Sequence, residues 1–503
     1  VSRPHNPIRE TALKVFHYES LRPGQEEAIA SVLSGKDTLI VMPTGSGKSA
    51  IYQIPAVLLD GPTVVVSPLI ALQKDQSEGL REQNAGGATV VNSLLSAREQ
   101  EQALSDATEG ITEFLFMAPE QFSNPEHLAA VKAAHPSLFV VDEAHCISEW
   151  GHSFRPDYLR LGTVIEELGH PTVLALTATA NAPVRTEIVN RLGMREPNIF
   201  VRGFDRPNIW LGVETAASET KKRVMLLDRI RRTERPGIVY ASTRKHAEEI
   251  NDELNSAGIR SAFYHGGLGR KEREAMQEDF MEDRVEVIVA TSAFGMGVDK
   301  PNVRFVFHYE TPDSPDSYYQ EIGRAGRDGK PATAVLFYRS QDLGIHKFFK
   351  GAGQLGTEEV QRVLDALEDG GDTAHEDLQE KANLSKTKLA RALNRLEETG
   401  AVEIDSEGNV RTVADPSTLV EKAELASQAQ SERHEAELER IEQMRLYAEN
   451  LDCRRASLLR YFGEDCPEHC GNCDNCQGAG TERALLIAET KLRAAEETKP
   501  AVV

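Results

Sequence analysis

The chain reads as an α/β protein built on two parallel-sheet lobes, followed by a winged-helix domain and a small helical module rich in cysteine. Three observations predict this. Short apolar, β-branched runs recur with helical stretches between them, at Thr38–Val41, Thr63–Ser67, Phe114–Met117, Leu138–Val141 and Thr172–Thr177. A second series follows at Ile238–Tyr240, Ser261–Tyr264, Val285–Thr291, Arg304–Tyr309 and Thr333–Tyr338. Their hydrophobicity is continuous rather than alternating, which marks strands buried on both faces, hence parallel sheets covered by helices. The strands then stop near residue 345, and five of the six cysteines fall between 453 and 476.

In chain order, residues 1–205 form the first lobe and 206–345 the second, with the crossing near Gly203–Asn208. Residues 354–415 follow winged-helix order. Helices are expected at Glu358–Leu367, His375–Ala382 and Ser385–Thr399, then a hairpin of Val402–Ile404 and Val410–Val413 around Ser406-Glu407-Gly408-Asn409. Residues 416–480 are read as the helical metal module. Leu438, Ile441, Met444, Ala448 and Leu451 give its entry helix an apolar stripe at helical spacing. Residues 481–503 are expected to be a loose tail.

With 57 Lys and Arg against 79 Asp and Glu, the net charge is −22. Such a chain does not coat nucleic acid by bulk charge, so any DNA contact relies on local basic patches. No apolar run approaches the length of a membrane span, and a cytoplasmic protein is expected, nucleoid-associated in a bacterium.

The chemistry is carried by four groups of residues. Met42-Pro43-Thr44-Gly45-Ser46-Gly47-Lys48-Ser49 is a phosphate-cradling loop, ending in an ammonium and a hydroxyl suited to Mg²⁺. Met42 stands where the usual pattern has its first glycine. Asp142-Glu143-Ala144-His145 ends a buried strand, where Asp142 can hold a metal through water and Glu143 can activate the attacking water. Arg324 and Arg327, three apart, are expected on one helical face, within reach of one phosphate. Cys453, Cys470, Cys473 and Cys476 follow C-x16-C-x2-C-x2-C. Four sulfurs satisfy tetrahedral Zn²⁺ with no open position, so the site is structural; an iron–sulfur centre is the alternative. Cys466 and His469 are spare.

Together with Phe16–Gln25, Leu176-Thr177-Ala178-Thr179-Ala180, Val289–Asp299 and Gln320-Glu321-Ile322-Gly323-Arg324-Ala325-Gly326-Arg327, these motifs resemble the RecQ family of DNA helicases, in superfamily 2, over residues 8–345 and 430–477. The resemblance implies two RecA-like lobes with ATP bound between them. By that likeness Tyr18 stacks on adenine, Arg22 supports it and Gln25 hydrogen-bonds the base edge. Thr44, Gly45, Ser46, Gly47, Lys48 and Ser49 hold phosphates and Mg²⁺, Gln320 joins the catalytic set, and Arg327 is the arginine finger. The segment Cys146–Tyr158 contains Trp150, Phe154, Tyr158, His152 and Arg155, and resembles the family's aromatic loop that couples DNA to ATP hydrolysis; bases stack on such rings. Its implied partners are single-stranded and 3′-tailed duplex DNA, its polarity 3′ to 5′, its setting DNA repair and recombination, and its state a monomer.

One departure stands out. The family's usual order places the winged helix after the zinc module, whereas here it comes first. Lys386, Lys388, Arg391 and Arg395 on its third helix can meet phosphate. The wing Glu403–Asn409 is acidic and lacks an aromatic tip, so it is unsuited to prising apart a base pair. A DNA-stimulated ATPase with weak unwinding therefore remains an alternative, as does a non-catalytic nucleic-acid clamp.

Overall fold

The computed structural model describes residues 6–478, except 44, 69, 84, 149–154, 296–299, 345–356, 368–372, 386–387, 390–391, 394–395, 397–399, 405–408, 413–434 and 467. The chain forms two compact units, one of residues 1–339 and 446–503, the other of 340–445. The division at Arg445/Leu446 comes later than the 415/416 boundary read from the sequence.

In the first unit, seven parallel strands make the first sheet: β1 (Thr38–Val41), β2 (Thr63–Val66), β3 (Ala88–Val91), β4 (Phe114–Met117), β5 (Leu138–Val141), β6 (Thr172–Thr177) and β7 (Asn198–Val201), in the order β3-β4-β2-β5-β6-β1-β7. Six parallel strands make the second: β8 (Ile209–Thr215), β9 (Gly237–Tyr240), β10 (Ser261–Tyr264), β11 (Val287–Ala290), β12 (Phe305–His308) and β13 (Ala332–Tyr338), in the order β10-β11-β9-β12-β13-β8. The central strands are buried along their whole length, as continuous apolar runs require.

Strands β3, β7 and β8 are absent from the sequence reading. All three lie at sheet edges. There each is only partly buried; β7 opens on Asn198, and β8 ends on Glu214 and Thr215.

The free edge of β8 is covered by the cysteine knuckle. Leu211 N donates to Asn472 O at 3.4 Å, Asp474 N donates to Leu211 O at 3.0 Å, and Val213 N donates to the Asp474 carboxylate at 3.0 Å. Capping an exposed edge in this way removes a template for unwanted strand pairing. The Arg454–Phe462 helix packs beside it, with Phe462 stacked on Phe204 at 4.5 Å and Arg455 bonded to Asp205 and to Ile209 O.

The second unit has the expected winged-helix order. Helices Thr357–Leu367 and His375–Ala382 and further helical residues from Lys388 to Leu396 surround the small antiparallel sheet β14 (Thr373–Ala374), β16 (Asn409–Thr412) and β15 (Val402–Ile404). Val363, Leu364, Leu378, Leu389, Leu393, Leu396, Val402 and Val410 form its core. Of the entry-helix stripe, Ile441, Met444 and Ala448 are buried, but Leu451 is 52% exposed. The helix ends at residue 449, so Leu451 falls beyond the face that its periodicity suggested.

Candidate active site and metal centre

The phosphate loop follows β1, Asp142 follows β5, and Thr177 ends β6. Since β5, β6 and β1 are neighbours, all three meet at one carboxyl edge of the sheet, where open α/β folds place their ligands. Lys48 Nζ donates to Met42 O at 2.9 Å and Pro43 O at 3.3 Å, folding the loop back on itself. Burial draws the Lys48 pKa down, opposed by Glu143 and Asp142. Met42 is packed in the core of the first lobe, which is why a bulky residue is accepted in place of the first glycine. Gly47 is different. It has φ +81°, and a Cβ there would come within 2.7 Å of Gln25 Nε2.

Gln25 itself is engaged at both ends. Its Oε1 accepts from Arg22 N at 2.7 Å, and its Nε2 donates to Gly47 O at 2.8 Å and Ser46 O at 3.3 Å. Arg22 donates to Gly45 O. In this structure the segment expected to read the base also braces the phosphate loop. Tyr18 lies stacked on Phe16 at 5.9 Å, with its hydroxyl 3.3 Å from Gln53 Oε1. Ser46 Oγ is buried, Ser49 begins the helix that follows the loop, and Thr44 lies outside the described residues.

Glu143 holds a left-handed backbone, φ 48° and ψ 44°, a costly conformation for a residue with a Cβ. Asp142 is pushed up to about 7, chiefly by burial and then by Glu143, with Lys48 opposing. Two carboxylates that resist joint ionisation are a donor set suited to a hard divalent cation. The sequence reading did not include His145, yet it is the hinge of this cluster: its Nδ1 lies 2.9 Å from Thr177 Oγ1 and 3.3 Å from Glu143 Oε2. Its place in the Asp-Glu-Ala-His run was the available signal. Thr177 thus meets His145, which in turn faces Glu143.

Across the cleft, Gln320 Nε2 donates to Thr179 Oγ1 at 3.3 Å, joining the two lobes. Arg324 and Arg327 do not share a helical face. The Pro315–Ile322 helix stops at Gly323, and both arginines lie in the turn beyond it. Gly326, at φ +55°, bends that turn; a Cβ there would meet Lys330 O at 2.7 Å and Asn208 Nδ2 at 2.5 Å. The turn still brings both arginines to the cleft. A Cβ at Gly45 would sit 3.8 Å from Arg327 Cδ. The resulting cavity of about 850 Å³ is lined from one lobe by Tyr18, Arg22, Gln25, Lys48, Asp142 and Glu143, and from the other by Gln320, Arg324 and Arg327.

At the other centre, the sulfurs of Cys453, Cys470, Cys473 and Cys476 all lie within 4.8 Å of one another. Four thiolates about one Zn²⁺ at 2.3 Å stand about 3.8 Å apart, so the set fits a single ion; a multi-iron cluster would spread them wider. Cys453 caps the Arg454–Phe462 helix, and Asn472 N and Cys476 N point at the sulfurs of Cys470 and Cys473. Cys466 and His469 are outside the set.

Three family descriptions match in tandem: DEAD/DEAH box helicase over residues 22–187, helicase conserved C-terminal domain over 221–329, and RecQ zinc-binding over 413–477. The chain is 36% identical over 479 residues to the probable ATP-dependent DNA helicase RecS of Bacillus subtilis, spanning 95% of this chain and 93% of that protein. The chain belongs to the RecQ helicase family. It is also 36% identical to the RecQ helicase of Pasteurella multocida, covering 93% of this chain but only 63% of that longer protein. The two-lobed fold recurs at TM-score 0.55 and 18% identity in the DUF1998 helicase MrfA bound to DNA, over 82% of this chain and 59% of that one. In Mycobacterium smegmatis helicase Lhr bound to single-stranded DNA and AMP-PNP it recurs at 0.53 and 19%, over 85% and 62%.

In this RecQ-family chain the tips of the expected DNA contacts, Trp150 and Phe154, lie outside the described residues, as do Lys386, Arg391 and Arg395. The end of the aromatic loop is described. Arg155 N donates to Cys146 O at 2.9 Å and its guanidinium to Pro68 O at 3.0 Å. Tyr158 is no stacking platform: it is fully buried, and its hydroxyl donates to Asp142 O at 3.0 Å. Lys388, half-exposed, pairs through its ammonium with Glu359 at 2.6 Å.

Proposed function

We propose that the protein is an ATP- and Mg²⁺-dependent helicase that translocates 3′ to 5′ on single-stranded DNA and unwinds 3′-tailed duplex, serving DNA repair and recombination as a cytoplasmic monomer. The observation that carries this reading is the convergence of Lys48, Asp142, Glu143, Gln320, Arg324 and Arg327, from two lobes, on one cleft. Lys48 and the loop amides bind the phosphates, and Glu143 orients and deprotonates the attacking water. Ser49 and Asp142 would hold Mg²⁺, which supplies charge neutralisation on the phosphates. Arg327 stabilises charge on the transferring phosphoryl group when the lobes close. The zinc ion that fits the four cysteines serves folding, holding the knuckle on β8.

Coupling to DNA runs through the anchored loop. Both ends of Cys146–Tyr158 are tied to the turn that bears Asp142 and Glu143, so base stacking at the loop tip can shift the catalytic carboxylates. The reading is tested by ATP turnover with and without single-stranded DNA, beside strand displacement from 3′- and 5′-tailed duplexes. Stimulated turnover with displacement of the 3′-tailed substrate alone supports it. Stimulation without displacement selects the translocase alternative, and no turnover selects the clamp.

A further inference from the structure

The Arg454–Phe462 helix ends at the junction of three parts of the motor. Its last turn meets the Ala182–Arg191 helix of the first lobe, the 203–204 crossing, and the Pro315–Ile322 helix of the second lobe. Asn181 Nδ2 donates to the Tyr461 hydroxyl at 3.2 Å, and that hydroxyl donates to Asp316 Oδ2 at 2.5 Å. Beside it, Arg185 bridges Ala180 O at 2.9 Å and Phe462 O at 3.2 Å, placing a cation at the negative end of the zinc-module helix. The Glu464 carboxylate accepts from Gly203 N and Phe204 N. Phe462 lies between Phe204 at 4.5 Å and Tyr319 at 4.9 Å.

The spacing on the second-lobe helix gives these contacts their meaning. Asp316 and Gln320 are four residues apart and so share one face. Gln320 meets the first lobe directly, through Thr179; Asp316 meets it through Tyr461. On the other side, Asn181 caps the helix that begins just after the Thr177–Ala180 segment, its Oδ1 accepting from Val184 N at 3.2 Å. That helix also reaches the root of the aromatic loop, where Ser148 donates to Glu187 at 2.6 Å. A path thus runs from Ser148 at the root of the aromatic loop to Glu187, along the helix backbone to its cap Asn181, and through Tyr461 to Asp316 on the helix that precedes Arg324 and Arg327.

We propose that Tyr461, supplied by the zinc module, is a positioning residue for ATP hydrolysis: its hydroxyl bridges Asn181 and Asp316 and sets the interlobe geometry in which the arginine turn meets the phosphate loop. The proposal rests on the ATPase reading above. A hydrogen bond survives only a few tenths of an ångström of stretch, so removing the bridge releases the Asp316 end of this helix, while Gln320 on Thr179 and the Tyr319 hydroxyl on Phe204 O still hold the rest of it.

The test uses the full chain with three variants. Tyr461→Phe deletes the hydroxyl and keeps the ring. Asn181→Asp keeps the helix cap and deletes the donor. The third combines both. Zinc content, thermal midpoint, KM for ATP and kcat with and without single-stranded DNA are measured. The expected result is unchanged zinc and midpoint, KM within about twofold, and a DNA-stimulated kcat lowered about fivefold or more in each variant, with the double variant no worse than the poorer single. Unchanged stimulated kcat in Tyr461→Phe overturns the proposal. So does a loss that tracks zinc content or thermal midpoint, which would make the tyrosine merely structural. If the parent shows no DNA-stimulated turnover, the functional reading itself fails and takes this proposal with it.

Discussion

Replacing Arg454 with alanine should detach the zinc module while sparing ATP binding. Arg454 is fully buried; its guanidinium donates to Asp474 Oδ1 at 2.9 Å, Asn450 Oδ1 at 3.2 Å, Asn475 Oδ1 at 3.3 Å and Tyr447 O, and it lies 5.5 Å from the Tyr447 ring. Asp474 is buried too and is the residue that accepts from Val213 N on β8. Arg454→Ala leaves that carboxylate without its counter-ion. Breaking a buried pair by removing one partner costs about 3–5 kcal/mol. With a urea slope of about 1–3 kcal/mol per molar, the undocking midpoint should fall by about 1–5 M. The chain has two tryptophans, and Trp210 Nε1 donates to Gln477 Oε1 of the knuckle at 3.0 Å. In a Trp150→Phe background, Trp210 emission therefore follows the docked knuckle alone, and zinc release to a chromogenic chelator gives a second reading. Arg454 is absent from the cleft lining, so ATP binding should persist. A midpoint shift below about 0.3 M, with unchanged zinc release, would refute the reasoning.

Lys48→Ala should weaken ATP binding and turnover together, whereas Glu143→Gln should keep nucleotide affinity and lose about 10²-fold or more in kcat; a fluorescent nucleotide titration beside steady-state turnover separates them. Near-normal turnover in Glu143→Gln would remove Glu143 from its role. Glu113 has a buried, unpartnered Oε1, and burial pushes its carboxyl up to about 7. Its folded-state pKa exceeds its unfolded value, so the folded state binds the extra proton. Stability is full below about pH 4.5 and falls as pH rises towards 7. Glu113→Gln should therefore gain about 1 kcal/mol at pH 8, after allowance for solvent screening of a half-exposed group, and nothing at pH 4.5, as read by thermal melts. Replacing residues 357–413 by a short linker should lower DNA affinity while retaining one zinc per chain and DNA-stimulated ATPase. Loss of zinc on that deletion would count against an inserted winged helix.

Much of the site was legible because its chemistry is local in sequence. A phosphate loop needs consecutive backbone amides, and a tight cysteine triplet aims its own sulfurs, so Gly45–Ser49 and Cys470–Cys476 announce themselves by spacing. The buried central strands were legible for a related reason: burial on both faces demands unbroken apolar runs, as in Leu138–Val141. Edge strands β3, β7 and β8 escaped, since their apolar runs are short or mixed with polar residues and only their pairing at the sheet edges marks them as strands.

Tertiary structure decided what depends on partners distant in the chain. Periodicity placed Arg324 and Arg327 on a helix; the close approach of Lys330 O and Asn208 at Gly326 makes that stretch a turn. Tyr158 resembles a base-stacking ring until burial hides it and Asp142 O takes its hydroxyl. His145 acquires its role only because β5 and β6 are adjacent and bring Thr177 beside it. Residue types and spacings encode which groups can do the chemistry. Which of them face the cleft, and which are consumed by a buried neighbour, depends on contacts such as Tyr461 with Asn181 and Asp316, separated by 280 and 145 positions, that exist only once the chain has closed on itself.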